Sequence, residues 1–198
     1  MDHEGQASAA RHTRDHIVWS FVATLFLTAA LRIAQASGFT RMDIPLMIGT
    51  MFTPQRDRAK VVGSLVHALN GWLLGSIYVF AFHSLRRSSW LIGGMIGFVH
   101  GLFVLVTVLP LLPGVHPRMA SDFTGPQPTS GLEPPGFMAL NYGRRTPIVT
   151  MLAHIMYGAI IGHFYEVGRG EQGEGRKLLG HRPGSPASDL AALGSRER

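Results

Sequence analysis

The chain has 198 residues, of which 46% are hydrophobic and only 15% charged, with a formal net charge of +6. That charged fraction is far below the roughly 25% of a soluble globular chain, so an ordinary water-soluble domain is excluded as the expectation. The absence of cysteine excludes disulfides, thiolate nucleophiles, cysteine-ligated zinc and iron–sulfur clusters. The positive charge shows no basic–aromatic interleaving, so no nucleic acid partner is expected.

Residues 1–15 are polar and read as a loose N-terminal segment. Four blocks nearly free of charge follow, at about 17–37, 61–83, 90–112 and 148–167. Each has the ~20 residues that a helix needs to cross a hydrocarbon core of about 30 Å. Four such blocks leave too little polar surface to cover them in water. Residues 16–167 therefore read as an all-α membrane protein, a four-helix transmembrane bundle surrounded by lipid bilayer. Of all the Lys and Arg residues only Arg32 falls inside a block, one turn before the Ser37-Gly38 stop. It is expected to snorkel to the interface, the alternative being a functional arginine within the membrane. Arg11 and Arg14 before the first block, with Ala34-Gln35-Ala36 at its end, also fit a cleaved signal. The internal repeat described below pairs that block with the third and argues for a retained helix.

In the first connector, residues 42–52 are apolar but too short to span, and carry Pro45. They are expected to lie in the interface or re-enter. Thr53-Pro54 then reads as an N-cap followed by proline at the first helical position. The second connector, with Arg86 and Arg87, is short, which predicts that the second and third helices are antiparallel neighbours. The third, 113–147, is long and rich in Gly and Pro, so it needs a folded or membrane-apposed form. Thr146-Pro147 repeats the cap-plus-proline start. Residues 168–198 are dominated by Gly, Pro, Ser and charge and read as a disordered tail.

Charge sets the orientation narrowly. With both termini on one side, and counting only the near part of the tail, that side holds eight basic residues: Arg11, Arg14, Arg86, Arg87, Arg169, Arg176, Lys177 and Arg182. The other side holds seven: Arg41, Arg56, Arg58, Lys60, Arg118, Arg144 and Arg145. The positive-inside rule then places the termini in the cytoplasm, with the short Arg86-Arg87 connector as the better indicator.

The second and fourth helices share a pattern. His67-x-x-Asn70-Gly71-x-x-x-Gly75-x-x-Tyr78 aligns with His154-x-x-Tyr157-Gly158-x-x-x-Gly162-x-x-Tyr165 at a constant offset of 87. The first and third helices align at an offset of 77, through Phe21-Val22 with Phe98-Val99 and Leu25-Phe26 with Leu102-Phe103. Arg41-Met42 pairs with Arg118-Met119 at the same offset. The polar and glycine positions match as well as the apolar ones, which predicts two repeated helical hairpins about a pseudo-two-fold axis along the membrane normal.

Glycines recur at four-residue spacing as Gly63, Gly71 and Gly75, as Gly93, Gly97 and Gly101, and as Gly158 and Gly162. Residues so spaced share a helix face, and small residues there let membrane helices approach closely. His67 and His154 lie on these rows, and His100 is three residues after Gly97, so all three are expected to face other helices. An ionisable residue inside a membrane is a functional candidate. The pair His67 and His154, at matching depth, suits the two axial positions of a haem iron, with Gly71 and Gly158 giving the macrocycle room. It also suits a transition metal or a proton or ion path, with His100 and Asn70 as further polar partners. The bland alternative is that each histidine bonds a carbonyl or hydroxyl across a helix interface and fixes packing. His116, Met42, Met47, Met51 and Met119 lack the tight spacing of a Cu(I) site, so the methionines read as apolar filler. Asp43 and Asp122 show no acid–base partner at useful spacing. There is no nucleotide loop, no Gly-x-Ser-x-Gly and no His-Glu-x-x-His, so no catalytic residue is assigned and enzyme activity has little support.

The run Arg41-Met42-Asp43-Ile44-Pro45-Leu46-Met47-Ile48-Gly49-Thr50-Met51-Phe52, the glycine- and histidine-bearing second helix and Gly97–Gly101 together resemble an uncharacterised family of small four-helix bacterial inner-membrane proteins. The likeness covers about 17–167. It implies four membrane helices and a location in the bacterial inner membrane, and brings no assigned activity or cofactor. The leading expectation is a non-enzymatic multi-pass membrane component, an accessory subunit of a membrane complex or a homo-oligomer. The alternatives are a bis-His haem or metal protein and a small solute, ion or proton transporter.

Overall fold

The computed structural model describes residues 3–121, 131–165 and 167, with side chains from Thr13 onward. In chain order the elements are α1 (His3–Ala36), α2 (Ile44–Gly49), α3 (Arg56–Leu85) and α4 (Trp90–Phe103). A π-helical turn (Val104–Val108), α5 (Leu109–Val115), a 3-10 turn (Phe137–Tyr142) and α6 (Thr146–Phe164) follow. Four helices are long and apolar enough to cross a membrane: Thr13–Ala36, Arg56–Leu85, Trp90–Val115 and Thr146–Phe164. The first helix already starts at His3, within the segment read as loose. The tail expected to be disordered, 168–198, lies outside the described residues, as does Asp122.

The polarity of the fold is that of a chain solvated by lipid. Large apolar side chains point outward along the spans, Phe80 being 74% and Leu65 67% exposed, while Ser20, Thr24, Thr150 and His154 are buried. Leaving that much apolar surface in water would cost roughly 25 cal/mol per Å². In hydrocarbon it costs nothing, and the polar groups turn inward to find partners.

The third spanning segment is continuous but irregular. Pro110 has no N–H to donate to the carbonyl four residues back, so the helix widens into the π-turn Val104–Val108 just before it.

Both threonine–proline helix starts differ from expectation. α3 begins at Arg56 with Gln55 as its N-cap, and the Thr53 hydroxyl instead accepts from the Gln55 N–H at 3.3 Å. Thr146 is already the first residue of α6, with Arg145 at the N-cap position, and its hydroxyl bonds that of Thr40 at 2.7 Å. The short Arg86-Arg87 connector does not make α3 and α4 neighbours along their lengths. α4 packs on α6, while α1 packs on both α3 and α6. α3 and α4 instead meet at a point, the hydrogen bond from Tyr78 to His100. An exact two-fold repeat would match the α1–α6 contact with an equally extensive α3–α4 contact, so the two hairpins pack non-equivalently.

The connectors on the Ala36 side fold over the helix ends. Asp43 accepts from the Leu46 N–H at 3.1 Å and so caps α2. Its carboxylate also faces Arg32 at 3.4 Å and Lys60 at 4.0 Å, partners that sequence spacing did not reveal. Arg32, half exposed, is thus paired with the first connector. α2 docks on α3 backbone to backbone: a Cβ at Gly63 would lie 1.7 Å from the Pro45 carbonyl oxygen. Met42, Met47 and Met119 are buried filler here.

The two connectors hold each other reciprocally. Arg41 of the first donates to the Asn141 carbonyl of the second and pairs with Glu133 at 3.0 Å, while Arg118 of the second donates to the Thr50 carbonyl of the first. These are the two arginines paired at offset 77 in the sequence; their partners, Asn141 and Thr50, are not paired at either offset. His116, just past the third span, joins the clasp. Its Nε2 meets the Met47 carbonyl oxygen at 2.9 Å, and its Nδ1 accepts from the Arg118 N–H at 3.1 Å. The ring is therefore neutral with its hydrogen on Nε2. Burial holds the His116 pKa below the ordinary 6.5, the Met47 hydrogen bond opposing and the Arg118 charge reinforcing.

A lowered folded-state value means that the clasp is intact above pH 6.5 and loses stability as pH falls from there toward the His116 value. Protonation at Nδ1 removes its acceptor and places a cation beside Arg118. Protease nicking of the connectors is expected to rise between about pH 7.5 and about pH 5. The variant His116→Gln should flatten that profile. An identical profile in the variant would show that His116 does not control it.

A histidine and tyrosine cluster between the helices

Glycine contacts build the site. A Cβ at Gly93 would lie 2.0 Å from the Gly158 carbonyl oxygen, one at Gly97 2.2 Å from that of His154, and one at Gly162 2.2 Å from that of Ser89. The α4 and α6 backbones therefore touch, as the glycine rows predict. Gly101 faces the His154 side chain itself, at 3.0 Å from a Cβ placed there. The crossing thus sets the His154 ring beside His100, with ring centroids 4.9 Å apart and nearly perpendicular.

On the other side, α1 fills the glycine gaps of α3. Thr24 occupies the space beside Gly71 and Ser20 the space beside Gly75. Ser20, Thr24 and Thr28 form a polar row at four-residue spacing on α1. Their spacing in an otherwise apolar block was the signal for this row, and the histidine-centred reading passed over it.

The three histidines are placed as follows. His154 Nδ1 lies 2.8 Å from the Thr150 carbonyl oxygen, one turn back on α6. A carbonyl only accepts, so the hydrogen is on Nδ1 and Nε2 carries a lone pair. Thr28 spends its own hydrogen on the Thr24 carbonyl at 2.7 Å, so its oxygen accepts from His67 Nδ1–H at 3.0 Å. His67 therefore has the same tautomer. His100 Nδ1 pairs with the Tyr78 hydroxyl at 2.9 Å.

Tyrosines complete the cluster. Tyr157 donates to the Gly71 carbonyl and stands edge-on to Tyr78, with centroids 5.2 Å apart. Toward the Leu85 end, His83 Nε2 and the Tyr165 hydroxyl lie 2.8 Å apart. Burial raises the pKa of Tyr165, which lies beyond the last span, so its phenol stays neutral, with the Asp15 charge acting in the same direction.

Asn70 does not join this group: it is exposed on the outer face of α3. The expected room for a macrocycle beside Gly71 and Gly158 is taken by Thr24 and by Gly93. Among the described residues no three His, Asp or Glu side chains converge as a metal-binding group. The hydroxyls of Ser20 and Thr150 are buried without a hydrogen-bond partner among the described residues. Comparison with known proteins finds no matching family model, no matching curated protein and no matching solved structure.

Proposed function

We propose that this chain is a non-enzymatic, multi-pass component of a bacterial inner membrane, its four helices forming a bundle and both termini cytoplasmic. In this reading it works by associating with membrane partners, a second copy of itself included. The supporting observation is the use made of the buried polar groups. His67, His100 and Tyr157 are each spent on a hydroxyl or carbonyl of another helix, and His154 on a carbonyl of its own helix, beside glycines that hold helix backbones in contact. Such groups fix helix packing in a membrane, where interhelical hydrogen bonds contribute about 0.6–2 kcal/mol each. The Arg86-Arg87 connector supports cytoplasmic termini.

A bis-His haem or transition-metal site is the second reading. It is favoured by the free lone pairs on Nε2 of both His67 and His154, the atom through which imidazole commonly binds a metal. An absorption spectrum and metal analysis of the purified protein separate the two readings. The packing role predicts no Soret band, no stoichiometric metal and a homo-oligomer or a co-purifying membrane protein. A Soret band abolished by His67→Ala would overturn it.

A further inference from the structure

The outward-facing polar groups of the spans are mostly satisfied within the chain. Ser64 and Ser84 donate to carbonyls four residues back at 2.7 and 2.9 Å, and Ser76 meets His16 at 3.2 Å. Asn70 is the exception in the middle of a span: it is exposed and has no hydrogen bond among the described residues. α3 has 30 residues and Asn70 is its fifteenth. At 1.5 Å per residue the amide lies about 21 Å from either end, well inside the apolar block 61–83. It presents two N–H donors and a carbonyl acceptor where lipid offers neither.

The surface around it has a definite period. Val66, Asn70, Leu73, Ile77 and Phe80 follow one another at alternating steps of four and three residues. That is the 3.5-residue seam of a left-handed helix pair, in which a single asparagine fixes register and partner number. Val66 is half-buried, while Leu73, Ile77 and Phe80 are 53%, 58% and 74% exposed, so the seam is open from Asn70 onward.

We propose that this seam is a homodimer interface in which two copies cross through α3 and their Asn70 amides pair within the bilayer. A second copy is the fitting occupant because every copy inserts in the same orientation. Two α3 helices then meet in parallel about an axis along the membrane normal, which sets each residue opposite its own equivalent. Each Asn70 donates one N–H to the other's carbonyl oxygen, two hydrogen bonds from one residue type. The proposal rests on the self-association reading above and names its surface.

The test uses the full chain in phosphatidylethanolamine–phosphatidylglycerol vesicles, labelled through a cysteine introduced at Ser88, with dimer fraction measured by single-molecule photobleaching as protein is diluted in lipid. Asn70→Leu is expected to weaken association about tenfold and Asn70→Gln to retain most of it. Independently, Leu73→Cys in a chain that keeps Asn70 should crosslink between copies on oxidation, which decides the matter should Asn70→Leu fail to fold. Undiminished association of a folded Asn70→Leu, or a dimer that Leu73→Cys does not crosslink, would overturn this surface while leaving self-association standing. A wild-type chain that is monomeric at every dilution would overturn both.

Discussion

Gly158→Leu is expected to abolish the folded state. Its Cβ would fall 2.0 Å from the Gly93 carbonyl oxygen and within 2.9 Å of the Tyr78 ring. The first obstacle is backbone, which cannot move aside as a flexible side chain would. The α4 and α6 helices would have to separate by an ångström or more, and His154, held against Gly97 and Gly101, would move with them. Overpacking a core by a few methylenes costs about 1–3 kcal/mol, and a backbone clash repeated along a crossing exceeds that. We expect a loss of more than ~3 kcal/mol, seen as aggregation in mild detergent or as a large fall in thermal midpoint. Gly94→Ala is the matched control, because its Cβ finds its nearest neighbour at 3.6 Å, an ordinary contact. Equal tolerance of both substitutions would show that the crossing is not as close as described here.

Gly63→Val should produce a large effect of a different kind, local and not global. The added Cβ would meet the Pro45 carbonyl oxygen at 1.7 Å and the Gly49 nitrogen at 2.7 Å. α2 touches α3 here and at Gly49, where a Cβ would lie 1.7 Å from the Ala59 carbonyl oxygen. The cheapest relief is release of α2 from α3, since α2 is a six-residue helix with little stability of its own. Its departure would carry away the Met47 and Thr50 carbonyls that hold His116 and Arg118. Hydrogen exchange is therefore expected to accelerate at least about tenfold in the two connectors while the amides of α6 keep their protection. Uniform acceleration over the whole chain would show that α2 docking is part of one cooperative unit.

The sequence alone revealed the number of helices long and apolar enough to span because hydrocarbon imposes a length and a polarity that are written locally. Twenty apolar residues say the same thing in any context. Glycine rows likewise announce close helix approach, and Gly93, Gly97, Gly158 and Gly162 make it. The partners were less legible. Gly71 and Gly158 looked like room for a ligand, yet one is filled by Thr24 and the other by the Gly93 backbone. A glycine states that something comes close without stating what.

Helix starts misled for a related reason. Thr146 has the residue type of an N-cap, and only the long-range contact with Thr40 shows where its hydroxyl goes. Asn70 follows His67 by three residues on α3 and is exposed. A helix face is wide, and that step was enough to turn the amide to the outside.

The number of helices long and apolar enough to cross a membrane, their apolar outer surface and the close approach of helices through glycine were determined by the sequence itself, since each follows from residue type and local spacing. Which helices meet was decided only by the tertiary structure. A short connector joins α3 to α4, but the glycine contacts of α4 pair it with α6, and α1 packs on both α3 and α6, filling the glycine gaps of α3. That arrangement brings His100 to His154 and gives Asp43 its cationic partners. It also leaves Asn70 facing outward, for the physical reason that contact between helices depends on complementary surfaces far apart in the chain.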